Sequence, residues 1–177
     1  RRSSDLASLA EGTSTIENYM PSKDMEATIN GMIAMGALIE EERDEAAQNS
    51  MLVVTGGLKR KECVEIDCIE SGSTLRFLIP LALIYGERAI FTGQGRLGSR
   101  PIDPYLRIFE KQNIKYSMKD KQLPIEIEGI LRCGEFDLDG NVSSQFVSGL
   151  LFSLPLIEGD SKIRSEEHTS ELQSRHN

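Results

Sequence analysis

The chain has 177 residues, 39% of them hydrophobic, with 20 basic against 28 acidic side chains for a net charge of −8. That is enough length and apolar content for one soluble domain with a real core, and the acidic balance leaves no surplus of cations for a nucleic-acid backbone or an anionic membrane. The longest apolar run, Leu75–Tyr85, contains Arg76 and falls well short of the roughly 20 residues a membrane span needs.

No basic-then-apolar leader opens the chain. Cys63, Cys68 and Cys133 share no C-x-x-C spacing, the pattern of reduced thiols in a cytoplasmic protein. The first six residues read RRSSDL, and the tail from Arg164 begins RSEEHTSELQS. Both look like in-frame translations of a common sequencing-library adapter. The tail is polar throughout, follows no helical or alternating period and is expected to be disordered. Residues 1–6 and 164–177 are therefore set apart as foreign to the gene, leaving a domain over residues 7–163. Both histidines, His168 and His176, lie in the tail, so that domain has none for metal or acid–base work.

Ser14 to Glu17 is strand-like. A helix is expected over 24–38, with Met25, Ile29, Met32 and Ile33 on one face and Gly36 near its end. Met51 to Thr55 is a strand closed by Gly56-Gly57, and Val64, Ile66 and Cys68 alternate with charged residues as a half-buried strand should. A second helix runs from Ser73 to Tyr85. The order then recurs: strand at 89–92, helix at 103–112, strands near 114–117, 125–128 and 135–138, and helix over 144–157.

The recurrence has a period. Gly12, Gly86 and Gly159 each close an apolar helical stretch and precede an isoleucine by four residues, at spacings of 74 and 73. Gly56 to Gly129 spans 73, and Ser71 to Ser143 spans 72. The helices ending near Tyr85 and Ile157 are apolar on nearly every side, as helices enclosed by protein are. The expectation is an α/β (α+β) domain of repeated βαβαββ units, with buried central helices and outer sheets. Pro80 should kink its helix by removing one backbone hydrogen bond.

Two of these buried helices open on polar loops, Glu70-Ser-Gly-Ser-Thr-Leu-Arg76 and Asp139-Gly-Asn-Val-Ser-Ser-Gln-Phe146. Free backbone N–H groups, hydroxyls and the positive end of the helix dipole make such a start an anion site, although ordinary capping by serine has the same appearance. A third stretch, Gly93-Gln-Gly-Arg-Leu-Gly-Ser-Arg100-Pro-Ile-Asp103, adds glycines and two arginines, whose planar forks suit carboxylate or phosphate.

Taken together, ESGSTLRFL, GRLGSRPID and LDGNVSSQFVSGLL resemble the N-x-G-T-x-x-R region, the arginine–proline loop and the S-S-Q segment of the 5-enolpyruvylshikimate-3-phosphate synthase family (3-phosphoshikimate 1-carboxyvinyltransferase). The resemblance spans essentially all of residues 7–163. It implies the first part of a two-domain enolpyruvyl transferase (an inverse α/β prism) whose active site forms when two similar domains close on phosphoenolpyruvate and shikimate 3-phosphate, with no metal or organic cofactor. By the same resemblance Ser143, Ser144 and Gln145 would hold shikimate 3-phosphate, with Gln145 also near phosphoenolpyruvate. Gly72 and Arg100 would contact phosphoenolpyruvate. Ser73 stands where the family usually has threonine, and Glu70 where it usually has asparagine, which puts a ligand contact at position 70 in doubt. Arg76 is taken as structural.

The proton-transferring acidic and lysine residues are expected in the second domain, so the chain alone should be inactive; full length, the enzyme is expected to be a monomer. Two other readings stay open. A UDP-N-acetylglucosamine 1-carboxyvinyltransferase usually has a cysteine in the loop where Arg96, Leu97, Gly98 and Ser99 stand here, and a non-catalytic anion-binding repeat would have the same helix starts.

Overall fold

Val64 and Ile66 turn inward from a strand whose neighbours Glu65 and Asp67 are exposed, and that alternation carries the chain into its largest sheet. The computed structural model describes residues 2–44, 49–120, 122–140, 142–165 and 169–172. In chain order the elements are α1 (Arg2–Leu9), β1 (Thr13–Ile16), α2 (Lys23–Ala34), β2 (Leu38–Asp44), β3 (Asn49–Thr55), β4 (Lys61–Asp67), α3 (Gly72–Tyr85) and β5 (Gly86–Thr92). There follow α4 (Asp103–Gln112), β6 (Lys115–Lys119), β7 (Gln122–Glu128), β8 (Glu135–Leu138), α5 (Ser144–Ser153), β9 (Ser161–Ser165) and β10 (Thr169–Leu172), with short 3-10 turns at Gly95–Ser99 and Leu154–Leu156.

The strands form three sheets, ordered β1-β3-β2, β4-β5-β7-β6 and β10-β9-β8. β4 and β5 are parallel, and β7 then pairs antiparallel with both β5 and β6. A parallel pair needs a crossover, and α3 supplies it. The run β4-α3-β5-α4-β6-β7 is the βαβαββ unit expected from the repeat. The parallel pair β8/β9, joined through α5, repeats its first steps.

α3 lies at the centre, with Leu75, Leu78, Ile79, Leu81, Ala82 and Leu83 all buried. It passes straight into β5 at Gly86, where a side chain would press on the Ala82 carbonyl and on Val64. The amphipathic helix α4 buries Tyr105, Ile108 and Phe109 and leaves Arg107 and Glu110 exposed. Among the described residues no helix is long and apolar enough to cross a membrane. The three thiols are free; burial and the neighbouring charge of Asp67 push Cys68 up to about 12.

Three expectations need revision, and one element is added. The helix expected over 24–38 ends at Ala34, because Gly36 adopts a left-handed turn (φ +107) that leads into an unanticipated strand, β2. Residues 2–9 are helical, with Ser4 buried and its carbonyl accepting the Ser8 hydroxyl at 2.9 Å. Within the tail, Thr169–Leu172 pairs antiparallel with β9; an open strand edge offers unpaired N–H and C=O groups that even a polar segment can meet. The other tail residues from 166 onward lie outside the described residues. Finally, α5 is enclosed on one face only: Phe146, Gly149, Leu150 and Ser153 are buried, whereas Leu151 is 37% exposed.

Candidate functional site

Ser71 is extended and its hydroxyl accepts the Thr74 N–H at 3.2 Å, which caps α3 and fixes Gly72 and Ser73 in the first turn. The hydroxyls behind that turn form a buried chain. Thr74 donates to Ser71 at 2.8 Å, Ser73 lies 3.2 Å from Ser71, and Thr28 of α2 lies 2.8 Å from Thr74. Ser73 is only 7% exposed, so its hydroxyl is engaged inside the protein, and Gly72 beside it is buried as well.

At the equivalent place in the repeat, Ser143 caps α5 by accepting the Gln145 N–H at 3.3 Å. Ser143 and Ser144 are exposed and Gln145 is half-buried. The two helix starts are joined by a side-chain bond. Arg76, one turn into α3, donates from Nη1 to Gln145 Oε1 at 2.7 Å, and its guanidinium carbon lies 4.9 Å from the centre of the Phe146 ring. With its oxygen engaged, the Gln145 amide keeps its N–H groups for another acceptor.

Arg100 comes from the glycine-rich loop. Its guanidinium lies so close over Gly72 that a Cβ there would be 2.6 Å from Nη1. The loop itself is tied back by Gln94 N–H donating to the Ile69 carbonyl at 2.6 Å, and by the Glu70 carboxylate, which rests against the left-handed Gly95 (φ +60). Glu70 also pairs with Lys23 at 3.8 Å. Position 70 thus holds the loop in place.

Arg76 is held below the ordinary guanidinium range, first by burial and then by repulsion from Arg100. Among the described residues neither arginine pairs with a carboxylate. Two guanidiniums that repel one another, beside two helix N-termini, favour an anion. A hollow of about 670 Å³ shares Arg76 and Ser143 with this cluster. Asp103, Glu110, Asp139 and Arg107 also line it, with Arg107 paired to Asp139 at 2.7 Å, so its charge is mixed.

The structure therefore brings Gly72 to Arg100 and Gln145 to Arg76, sets Ser143 and Ser144 at the surface of the second helix start, and turns Ser73 inward. Arg76, expected to be structural, holds Gln145. Nothing local in the sequence signals that contact, because Gln145 lies 69 residues away.

A family model described as EPSP synthase (3-phosphoshikimate 1-carboxyvinyltransferase) matches residues 4–176. The chain belongs to this family. It is 49% identical over 175 residues to the 3-phosphoshikimate 1-carboxyvinyltransferase of Clostridium novyi (strain NT), covering 96% of this chain and 39% of that protein. Against the enzyme of the same name from Clostridium acetobutylicum it is 53% identical over 159 residues, covering 89% and 36%. The solved EPSP synthase from Acinetobacter baumannii superposes with a TM-score of 0.74 at 23% identity, over 96% of this chain and 39% of that one, which shows a shared fold. The chain thus spans about two fifths of the length of these EPSP synthase relatives.

Proposed function

We propose that this chain forms one wall of an enzyme that transfers the enolpyruvyl group of phosphoenolpyruvate to the 5-hydroxyl of shikimate 3-phosphate, through a tetrahedral intermediate and with release of phosphate. The observation that supports it most is the convergence of three distant stretches, Arg100 upon Gly72 and Arg76 upon Gln145. In this reading Ser143, Ser144 and Gln145 hold shikimate 3-phosphate. Phosphoenolpyruvate lies against Gly72 and Arg100, and Ser73 contributes through its backbone. The chain's own part is to bind and orient two anions; proton transfer falls to residues of a second domain, and no metal or organic cofactor takes part. The enzyme would be a cytoplasmic monomer.

The test is Ser144→Ala in the full-length enzyme, followed by titration calorimetry. The lost hydroxyl should cost roughly 1–3 kcal/mol in shikimate 3-phosphate binding, while unphosphorylated shikimate binds equally to mutant and parent. A lowered stability with affinity untouched would leave Ser144, the first residue of α5 after the Ser143 cap, with a part in the helix start alone.

Two further expectations belong to this reading. The 177-residue chain alone, given both substrates, should release no more phosphate than a no-protein control; clear turnover would refute the need for a second domain. Residues 1–6 and 164–177 are proposed to be foreign to the gene, so sequencing the genomic locus across both junctions should read different codons there. Finding the same codons would make them native.

A further inference from the structure

α3 carries a proline in its buried interior, Pro80. In an α-helix the N–H of each residue bonds the carbonyl four positions earlier, and proline has no N–H. The carbonyl left without that partner is that of Arg76, inside a helix where an unsatisfied polar group is costly. Tyr105 of α4 meets it: its hydroxyl donates to the Arg76 carbonyl at 2.5 Å and lies 3.4 Å from the Phe146 carbonyl of α5. Tyr105 is 1% exposed, with its ring edge-on to Phe146 at 5.0 Å between centres. Burial raises its hydroxyl far above the ordinary tyrosine range, so it remains a donor at any working pH.

Gly149 makes the arrangement possible. A Cβ at that position would collide with both the Arg76 carbonyl and the Tyr105 hydroxyl. Pro80 frees the acceptor, Tyr105 fills it, and Gly149 clears the space, each from a different helix. The residue so fixed is the one whose side chain holds Gln145.

We propose that Tyr105 is a positioning residue for the anion site. Its hydroxyl replaces the helix bond that Pro80 removes, and so sets the place of Arg76 on α3 relative to Gln145 on α5. The inference rests on the reading of Gln145 as part of the shikimate 3-phosphate site, and deepens it by adding a residue outside the three polar stretches.

The cross-check lies in the proline. Changing Pro80 to alanine restores an N–H able to bond the Arg76 carbonyl, and the tyrosine hydroxyl should then be dispensable. The experiment is a double-mutant cycle in the full-length enzyme, with parent, Tyr105→Phe, Pro80→Ala and the double variant compared by calorimetric titration with shikimate 3-phosphate. Tyr105→Phe keeps the buried ring. It should weaken binding about tenfold where Pro80 is present, and less than about twofold in the Pro80→Ala background.

Unphosphorylated shikimate is the second measurement, and decides the matter if Pro80→Ala does not fold: its affinity should change less than about twofold in Tyr105→Phe. Equal losses in both backgrounds, equal losses for both ligands, or a lowered melting temperature with unchanged affinity would each overturn the proposal. A parent enzyme that does not bind shikimate 3-phosphate would remove the functional reading and this inference with it. A parent that binds well and a Tyr105→Phe variant that binds equally well would remove only the role of Tyr105.

Discussion

Replacing Gly149 by alanine is expected to lower the melting temperature of the chain by roughly 6–12 °C, the shift that goes with about 3 kcal/mol in a domain of this size. In most helices the change would help, since alanine is the better helix former by up to about 1 kcal/mol. Here the new methyl would enter the contact between α5, the Arg76 carbonyl and the Tyr105 hydroxyl, with Pro80 Cγ a further 3.3 Å neighbour. Two of those three atoms belong to a helix backbone or to a proline ring, neither of which can rotate aside. Relief requires α5 to move away from α3, at a cost in buried apolar contact that includes the edge-on pair Phe77–Phe152 at 5.6 Å. Gly98→Ala is the control, because a Cβ there meets nothing within 4 Å; its melting temperature should stay within about 1 °C of the parent. A Gly149→Ala shift of less than about 2 °C would mean that α3 and α5 cross more loosely than these contacts require.

How much of the fold is legible in the sequence depends on whether the signal is local. The strand at 61–67 announces itself because one face is buried and the other wet, so apolar and charged residues alternate. α3 does so because it is enclosed, and a helix apolar on every side must be surrounded by protein or lipid. β2 carries no such mark. It is an edge strand, reading Leu-Ile-Glu-Glu-Glu-Arg-Asp, and what makes it a strand is its pairing with β3, from Leu38 opposite Thr55 to Asp44 opposite Asn49. A pairing of that kind lies between segments and leaves no period within β2.

The same division runs through the site. Glycines, hydroxyls and arginines at helix starts are a local pattern, and they point to Gly72, Arg100 and the Ser143–Gln145 triplet. Which way Ser73 turns is decided elsewhere, by Ser71 and Thr74 and, through Thr74, by Thr28 on α2. The part played by Arg76 depends on Gln145, 69 residues away, and its support on Tyr105, 29 residues away. Only Pro80, four residues on, leaves a trace of that support in the sequence, and by itself a proline there signals no more than a kink.

Arg100→Ala in the full-length enzyme should raise the KM for phosphoenolpyruvate about tenfold or more, and change shikimate 3-phosphate affinity by less than about twofold. A charge-assisted hydrogen bond to an anion is worth roughly 1.5–3 kcal/mol, and each 1.4 kcal/mol is about a factor of ten. Were Arg100 an ordinary surface cation, its removal would cost about 0–1 kcal/mol of stability through a lost ion pair, but among the described residues it has no carboxylate partner. What it has instead is Gly72 beneath it and the repulsion of Arg76 beside it. Losing the charge should therefore leave the melting temperature unchanged or slightly higher while substrate use falls. That opposition of stability and activity marks a residue held in place for a ligand. Gly72→Ala supplies an independent check, since its methyl would meet Arg100 Nη1 at 2.6 Å and displace the flexible end of that side chain. It should impair phosphoenolpyruvate use in the same direction with little effect on folding. If Arg100→Ala weakened both substrates equally, or lowered the melting temperature and left KM alone, the guanidinium would be bracing the loop, and the anion would have to lie nearer Arg76 and Ser144.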